Sequence, residues 1–200
     1  ADADADGMAE RRQDGAWNPG ALTFSLSLPL IPQTWSGLSL AVGVSVANSL
    51  HARLRIKWPN DLWLDDRKLA GILIETASLG DSRVAVIGVG INIRQRPADG
   101  LSTAPAWLHE LLPELDAPTA LLRIVPDLAR TLRTFEALGF APFEAAFRAR
   151  DALHGRAVVL SDGTSGTAAG VDSSGALRVH TLAGMKAILS AEVSVRPAGN

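Results

Sequence analysis

The chain has 200 residues, 47% of them hydrophobic, and its 19 basic and 21 acidic residues give a net charge of -2. This composition predicts one ordinary domain plus a small appendage, and the charge excludes a strong overall field that would attract nucleic acid. Cysteine is absent, which excludes disulfides, thiolate catalysis and cysteine-based zinc sites and agrees with a cytoplasmic protein, and no apolar run reaches the roughly 18 residues that span a bilayer.

The first half of the chain predicts strands around one helix. Residues 1–16 show no hydrophobic period and predict a loop or a disordered arm. Alternating apolar and small polar residues predict a strand over 22–28, and helical spacing predicts a tightly packed helix over 35–50. Further strands, separated by turns at 59–61 and 65–66, are predicted over 54–58, 62–64, 68–76 and 84–93.

The second half of the chain predicts helices up to about residue 151 and short strands after it. A short helix is predicted within 101–115, and longer helical segments are predicted over 117–138 and 143–150. Short strands follow, with glycine-containing turns between them, over 157–160, 167–171, 176–181, 186–189 and 192–195. Several short strands at this spacing predict a small β-barrel. We therefore divide the chain into a larger domain at 1–152 and a barrel domain at 153–200.

The run KWPNDLWLDDRKLAGILIE, residues 57–75, carries the most chemistry. Lys57 and Lys68 flank a Pro-Asn-Asp turn, and each lies in or beside an apolar stretch. A lysine in an apolar strand is costly to bury unless it meets an anion, so the pair predicts a phosphate or carboxylate site. The structural alternatives are a simple hairpin corner and a strand lysine that extends its ammonium group into solvent.

Three glycines and an asparagine follow on the same predicted strands. Gly71, Gly88 and Gly90 remove side chains, so a flat ligand could lie on the backbone, although curvature or a bulge explains them equally well. Asn92 offers an amide to a base or to a metal-bound phosphate. Spacing alone leaves both interpretations open.

The strings KWPNDLWLDDRKLAGILIE and GVGIN resemble the signatures of biotin protein ligases, the biotin–[acetyl-CoA-carboxylase] ligases of the biotin/lipoate ligase fold. The resemblance runs from about Trp17 to Arg196. It implies an α/β (α+β) catalytic domain with a mixed β-sheet flanked by helices, similar to class II synthetases, followed by a small β-barrel similar to Src-homology barrels. It also implies that biotin and MgATP give biotinyl-5′-AMP and pyrophosphate. A lysine of the biotin carboxyl carrier protein would then attack the mixed anhydride.

The resemblance assigns roles to individual residues. Lys68 would contact the biotin carboxylate and the α-phosphate, and Lys57 would face the phosphates. Asn60 and Asp61 would belong to the ATP site, where Asp61 could organise Mg²⁺ through water. The remaining positions are Gly71, Gly88, Gly90 and Arg12 beside biotin, and Asn92 and Trp17 near the nucleotide.

The N-terminal stretch departs from the family pattern. The family carries a Gly-Arg-Gly-Arg-x-Gly-Arg loop before the tryptophan, whereas this chain reads GMAERRQDGAW over residues 7–17 and keeps arginines without the alternating glycines. An upstream Ser-Thr-Asn element is missing too, so the ligase domain is expected to be N-terminally incomplete or divergent. A lipoate-type ligase and a catalytically impaired remnant that binds biotin or ATP are the alternatives. No winged-helix module precedes the domain, so no DNA partner is expected, and a homodimer is left open.

Overall fold

The structure, a computed structural model, describes residues 20–79, 82–95, 104–189 and 195–197. The predicted arm at 1–16 and Trp17 lie outside the described residues. The described elements of the first part are β1 (Ala21–Pro29), α1 (Leu38–Leu50), β2 (Arg55–Lys57), β3 (Asp61–Leu64), β4 (Arg67–Leu79), β5 (Ser82–Asn92), α2 (Ala117–Leu138) and α3 (Glu144–Arg148). The later strands are β6 (Ala157–Leu160), β7 (Ser165–Val171), β8 (Leu177–Thr181), β9 (Gly184–Ile188) and β10 (Val195–Pro197).

The first sheet has the strand order β1-β5-β4-β3-β2, and each of these neighbouring pairs is antiparallel. Its register follows the hydrophobic alternation. In β5, Ile87, Val89 and Ile91 are buried, while Gly88 and Gly90 between them lie on the other side. A single parallel bridge joins Ile56 of β2 to Asp151. One face of this sheet is therefore buried and apolar, and the other is more exposed and mixes glycines and polar residues with apolar ones such as Leu73.

Two helices cover the apolar face, each for a different reason. α1 has no charged residue and is buried on most sides, and it approaches the sheet so closely that a Cβ on Gly43 would lie 3.5 Å from Ile72 and 3.6 Å from Ile56. α2 instead carries one apolar stripe and packs on α1 and β1. Its buried residues are Ala120, Ile124, Leu128, Leu132 and Phe135. The predicted architecture of a sheet flanked by helices, followed by a smaller β unit, is confirmed.

The smaller unit is an antiparallel sheet in the order β10-β6-β7-β8-β9. Closure into a barrel stays a prediction. The backbone of residues 150–152 joins the two units, since Ile56 N donates to Arg150 O (2.8 Å) and Ala152 N donates to Ile56 O (2.9 Å). The division at 152/153 stays an interpretation of the sequence.

A loop of the smaller sheet packs behind the Pro-Asn-Asp turn. The indole Nε1 of Trp58, which is 1% exposed, donates to Gly175 O at 3.1 Å. Ser36 Oγ donates to Ser174 O at 2.7 Å. The loop itself is shaped by Asp172, whose Oδ1 accepts from Ser174 N at 2.8 Å. The residue that follows Lys57 is thus held by the C-terminal sheet.

Three predicted elements are short in the structure, and two of them, at 143–150 and 54–58, differ in extent from the prediction. The short helix predicted within 101–115 is a 3-10 turn at Leu108–Glu110, between Pro105 and Pro113, which lack the N–H that a longer helix needs. The predicted helix at 143–150 is a 3-10 turn at Ala141–Phe143 followed by the short α3. The strand predicted over 54–58 is limited to Arg55–Lys57. No helix within the described ranges is long and apolar enough to span a membrane.

Candidate functional site

A row of directly paired residues crosses the first sheet on the side opposite α1. Lys57 pairs with Asp61, Asp61 with Gly71, Gly71 with Gly90, and Gly90 with Thr23. Directly opposed residues in antiparallel strands share one face of the sheet. We call this side the open face. It gathers four of the residues that the sequence singled out, although they come from four different strands.

A β-bulge brings Lys68 onto the same face. Leu62 pairs with Ala70, but Trp63 pairs with Lys68, so Leu69 is the extra residue in β4. Without the bulge, strict alternation would direct Lys68 to the opposite side from Gly71. With it, Lys68 lies opposite Trp63 on the open face. Both lysines therefore face the same side of the sheet.

Asp61 lies between the two lysines and is the acidic partner of one. Its Oδ1 is 2.8 Å from Lys68 Nζ. The Asp61 side chain is only 12% exposed, whereas that of Lys68 is 54% exposed. One carboxylate beside two ammonium groups leaves an excess of one positive charge at neutral pH. An anion approaching the open face would meet this unbalanced charge.

Lys57 is the more deeply placed of the two cations. Burial lowers its pKa, the nearby Asp61 carboxylate raises it, and the Lys68 ammonium group lowers it further, with burial the largest cause. Its Nζ lies 5.8 Å from the centroid of the Trp63 ring, within the range of a cation–π contact. Lys57 is therefore a partly desolvated cation, which interacts more strongly with an anion than a lysine in open water does.

The glycines differ in what their missing side chains would meet. A Cβ on Gly90 would have no neighbouring atom within 4 Å. A Cβ on Gly88 would lie 3.5 Å from Leu73 O, and one on Gly71 would lie 3.4 Å from Lys68 Cε and Nζ. Packing in the described part of the chain therefore does not require glycine at position 90. An open surface for a ligand is a sufficient reason for it.

The two asparagines support the site through backbone contacts. Asn60 Nδ2 donates to Ile72 O, and Ile72 N donates to Asn60 O, both at 2.9 Å, so the Pro-Asn-Asp turn is tied to β4. Asn92 Nδ2 donates to Ala106 O at 3.1 Å and makes a longer contact of 3.5 Å with Lys68 O. The amide nitrogen of Asn92 is thus engaged within the protein, and its contact with a nucleotide stays a prediction.

The described residues do not contain a ready metal site. No group of three or more His, Cys, Asp or Glu side chains in this part of the chain is placed to hold an ion. Asp61 already forms an ion pair with Lys68. A protein-held Mg²⁺ therefore does not fit these residues, and a role for Asp61 towards Mg²⁺ through water stays a prediction. Arg12 and Trp17 lie outside the described residues.

Sequence reasoning missed several residues beside the site. Trp63 supplies the ring next to Lys57, and Thr23 and Ser25 of β1 line the exposed edge of the open face. The alternation that predicted β1 could have indicated which of its residues are polar and share one side. An ion pair between Arg67 and Glu110 lies next to Lys68 in the chain and has no local sequence signal.

The chain is similar to known proteins along both of its parts. Residues 8–92 match the biotin/lipoate A/B protein ligase family, and residues 153–196 match the biotin protein ligase C-terminal domain. The bifunctional ligase/repressor BirA of Escherichia coli K12 is 36% identical over 177 residues, which are 84% of this chain and 55% of that protein. The chain thus spans about half the length of this relative.

Two further comparisons cover more of the proteins concerned. The biotin–[acetyl-CoA-carboxylase] ligase of Paracoccus denitrificans is 35% identical over 192 residues, which are 92% of this chain and 76% of that protein. The structure of the Aquifex aeolicus biotin protein ligase in complex with biotin and ATP superposes with a TM-score of 0.77 at 28% identity, covering 90% of this chain and 79% of that one. With its two lysines on one open face and these similarities, the chain belongs to the biotin protein ligase family.

Proposed function

We propose that the chain carries the catalytic part of an ATP-dependent biotin–protein ligase. Biotin and ATP would give biotinyl-5′-AMP and pyrophosphate, and a lysine of the biotin carboxyl carrier protein would then take the biotin and release AMP. The observation that supports this most is the shared open face, where a bulge brings Lys68 beside the row that contains Lys57 and Asp61. The carrier as acceptor is suggested by the name of the Paracoccus relative.

We assign Lys68 a contact with the reacting carboxylate and α-phosphate. When the biotin carboxylate attacks the α-phosphorus, negative charge develops on the phosphoryl oxygens as pyrophosphate departs. A fixed ammonium group beside those oxygens stabilises the transition state more than the separated reactants. Lys68 has a half-exposed side chain on the open face, paired on one side with Asp61. That carboxylate limits where the ammonium group can point, without surrounding it.

Lys57 is assigned to the phosphates of ATP, and the glycines to biotin. Burial of Lys57 removes water that would otherwise screen its charge. Gly90, with open space where a side chain would stand, offers a surface for the biotin rings, together with Gly71 and Gly88. Mg²⁺ would arrive on the triphosphate and neutralise part of its charge. Asn60 and Asp61 shape the turn between Lys57 and β3.

Exchange of labelled pyrophosphate into ATP tests this proposal directly. We expect exchange that depends on biotin and is not supported by lipoate or octanoate. Exchange supported by lipoate instead would assign a lipoate-type ligase. Biotin binding in calorimetry without any pyrophosphate exchange would indicate an impaired remnant. The altered stretch at 7–17 would then be the first segment to test by mutation. An apo carrier protein added to the active mixture should gain biotin, seen as a mass increase.

The depressed pKa of Lys57 makes a separate prediction about pH. A protonated Lys57 binds phosphate, so kcat/KM for ATP should fall as pH rises through the pKa of this lysine in the free enzyme. Since burial lowers that pKa, the fall should begin below the ordinary lysine value of about 10.4. In Lys57→Arg the cation stays charged, and the basic limb should move to higher pH. Lys186→Arg, at an exposed ion pair with Asp162, is the matched control and should leave the profile unchanged.

An identical basic limb in wild type and Lys57→Arg would assign the limb to another group. The position of the limb is read from normalised profiles, so a lower overall rate in the variant does not affect the comparison.

A further inference from the structure

The segment 104–110 lies against the start of β4, next to Lys68. Ala106 N donates to Lys68 O at 2.9 Å, which places a backbone hydrogen bond on the lysine assigned to the reacting atoms. Asn92 Nδ2 donates to Ala106 O at 3.1 Å and so ties the segment to the end of β5. Segment 104–110 and the backbone of Lys68 therefore form one connected unit.

An ion pair fastens this segment from the other side. Arg67 Nη1 and Nη2 donate to Glu110 Oε1 and Oε2 at 3.0 and 2.5 Å, which is a two-pronged contact. Glu110 Oε1 also accepts from Trp107 N at 3.1 Å, and the Arg67 guanidinium lies 5.7 Å from the centroid of the Trp107 ring. The pair lowers the pKa of Glu110 and raises that of Arg67. One arginine thus contacts both ends of the 107–110 turn.

The position of this pair matters more than its strength. The two side chains are 27% and 24% exposed, and such pairs contribute little to the stability of a whole domain. Arg67, however, directly precedes Lys68, and Glu110 belongs to the segment that hydrogen-bonds the Lys68 carbonyl. Breaking the pair would loosen the 107–110 turn beside Lys68, while the buried side chains of Ala106 and Leu108 would keep the segment attached to the core.

We propose that Arg67 and Glu110 form a latch that holds segment 104–110 on β4 and thereby fixes Lys68 for adenylate formation. Both are positioning residues and are not assigned a contact with substrate. This inference rests on the proposed function in one respect, namely that adenylate formation is the reaction that the latch affects. The latch itself is a property of the fold and can be measured without turnover.

Charge reversal tests the latch. Arg67→Glu and Glu110→Arg should each lower kcat for biotin-dependent pyrophosphate exchange by about tenfold or more, because small displacements of a reacting group are costly. The KM for ATP should change by less than about threefold, since Lys57 and the phosphate contacts stay in place. The double variant Arg67→Glu/Glu110→Arg restores an opposite-charge pair and should recover kcat to within about threefold of wild type. Arg148→Glu, which breaks the exposed pair with Glu144, is the control and should change neither parameter.

Hydrogen exchange of the peptide that covers 104–110 gives the second measurement. The Ala106 amide should be protected in wild type, exchange faster in both single variants, and regain protection in the double variant. Unchanged protection in the single variants, or a double variant no better in kcat than either single one, would overturn the latch. If the wild type shows no biotin-dependent pyrophosphate exchange, the proposed function is wrong instead. The hydrogen-exchange protection of 104–110 would still decide whether the latch exists.

Discussion

Lys68→Ala is expected to reduce biotin-dependent pyrophosphate exchange by roughly a hundred- to a thousandfold, the usual cost of removing one preorganised group that stabilises transition-state charge. The fold should survive, because the Lys68 side chain is 54% exposed and its loss opens no cavity in the core. Loss of its ion pair with Asp61 should cost about 1 kcal/mol, because solvent screens the half-exposed ammonium group and Lys57 still lies near the Asp61 carboxylate. Thermal unfolding should therefore shift by only about 2–4 °C for a domain of this size.

Lys186→Ala is a close control for this variant. Lys186 Nζ also lies 2.8 Å from a carboxylate, that of Asp162, and its side chain is 46% exposed, but it belongs to β9 of the second sheet. It should lose a similar amount of stability and no exchange activity. Lys68→Arg adds a further comparison, since it keeps the charge but replaces a compact ammonium with a planar fork. Wild-type turnover in Lys68→Ala would remove this residue from the mechanism.

The sequence was sufficient to predict the elements that depend on local pattern. The β-branched run over 84–93 predicted β5, and the boundaries of α2 agree with the structure because Asp116 caps it, with Oδ1 accepting from Thr119 N, and Gly139 follows its end. The helix predicted over 143–150 was wrong in extent, since the structure has a 3-10 turn at Ala141–Phe143 and then α3 over Glu144–Arg148. Local period and capping residues were reliable guides, and isolated apolar spacing was not.

The site could be predicted only in part. The pairing of Lys57 and Lys68 with the intervening turn indicated an anion site, and the structure places both lysines on one face. That result depends on the bulge at Leu69, since alternation along a regular strand would have separated Lys68 from Gly71. No local pattern marks a bulge of this kind, and the partner of Arg67 is 43 residues away. Geometry that depends on register or on long-range pairs is not encoded in a short motif.

The two lysines of the open face differ in their exposure to solvent. Lys57 is partly desolvated and held beside Trp63, whereas Lys68 keeps half of its side chain exposed. Asp61 lies between them and reduces the repulsion that two adjacent cations would otherwise feel. The arrangement therefore tolerates two neighbouring lysines and still leaves an excess positive charge for a substrate.

Gly90→Val is expected to weaken biotin binding by about a hundredfold or more while leaving stability unchanged within about 1 kcal/mol. The structure offers two reasons. A Cβ at position 90 meets no atom within 4 Å, and the backbone there does not need the left-handed conformation that favours glycine. Valine also suits a strand better than glycine does. The added methyl groups would thus be harmless to the fold and would occupy the space assigned to biotin, which calorimetry with biotin alone can measure.

Two comparisons decide what such a result means. Gly90→Ala adds one methyl group and should give an intermediate affinity, which a steric effect of the side chain requires. Ser27→Val adds an apolar group on the same face of the neighbouring strand but opposite Val86, four residues along β1 from the partner of Gly90, and should bind biotin within about threefold of wild type. A Gly90→Val protein that unfolds at a much lower temperature would mean that this glycine serves the fold. One that is stable and binds biotin normally would move the ring site away from β5.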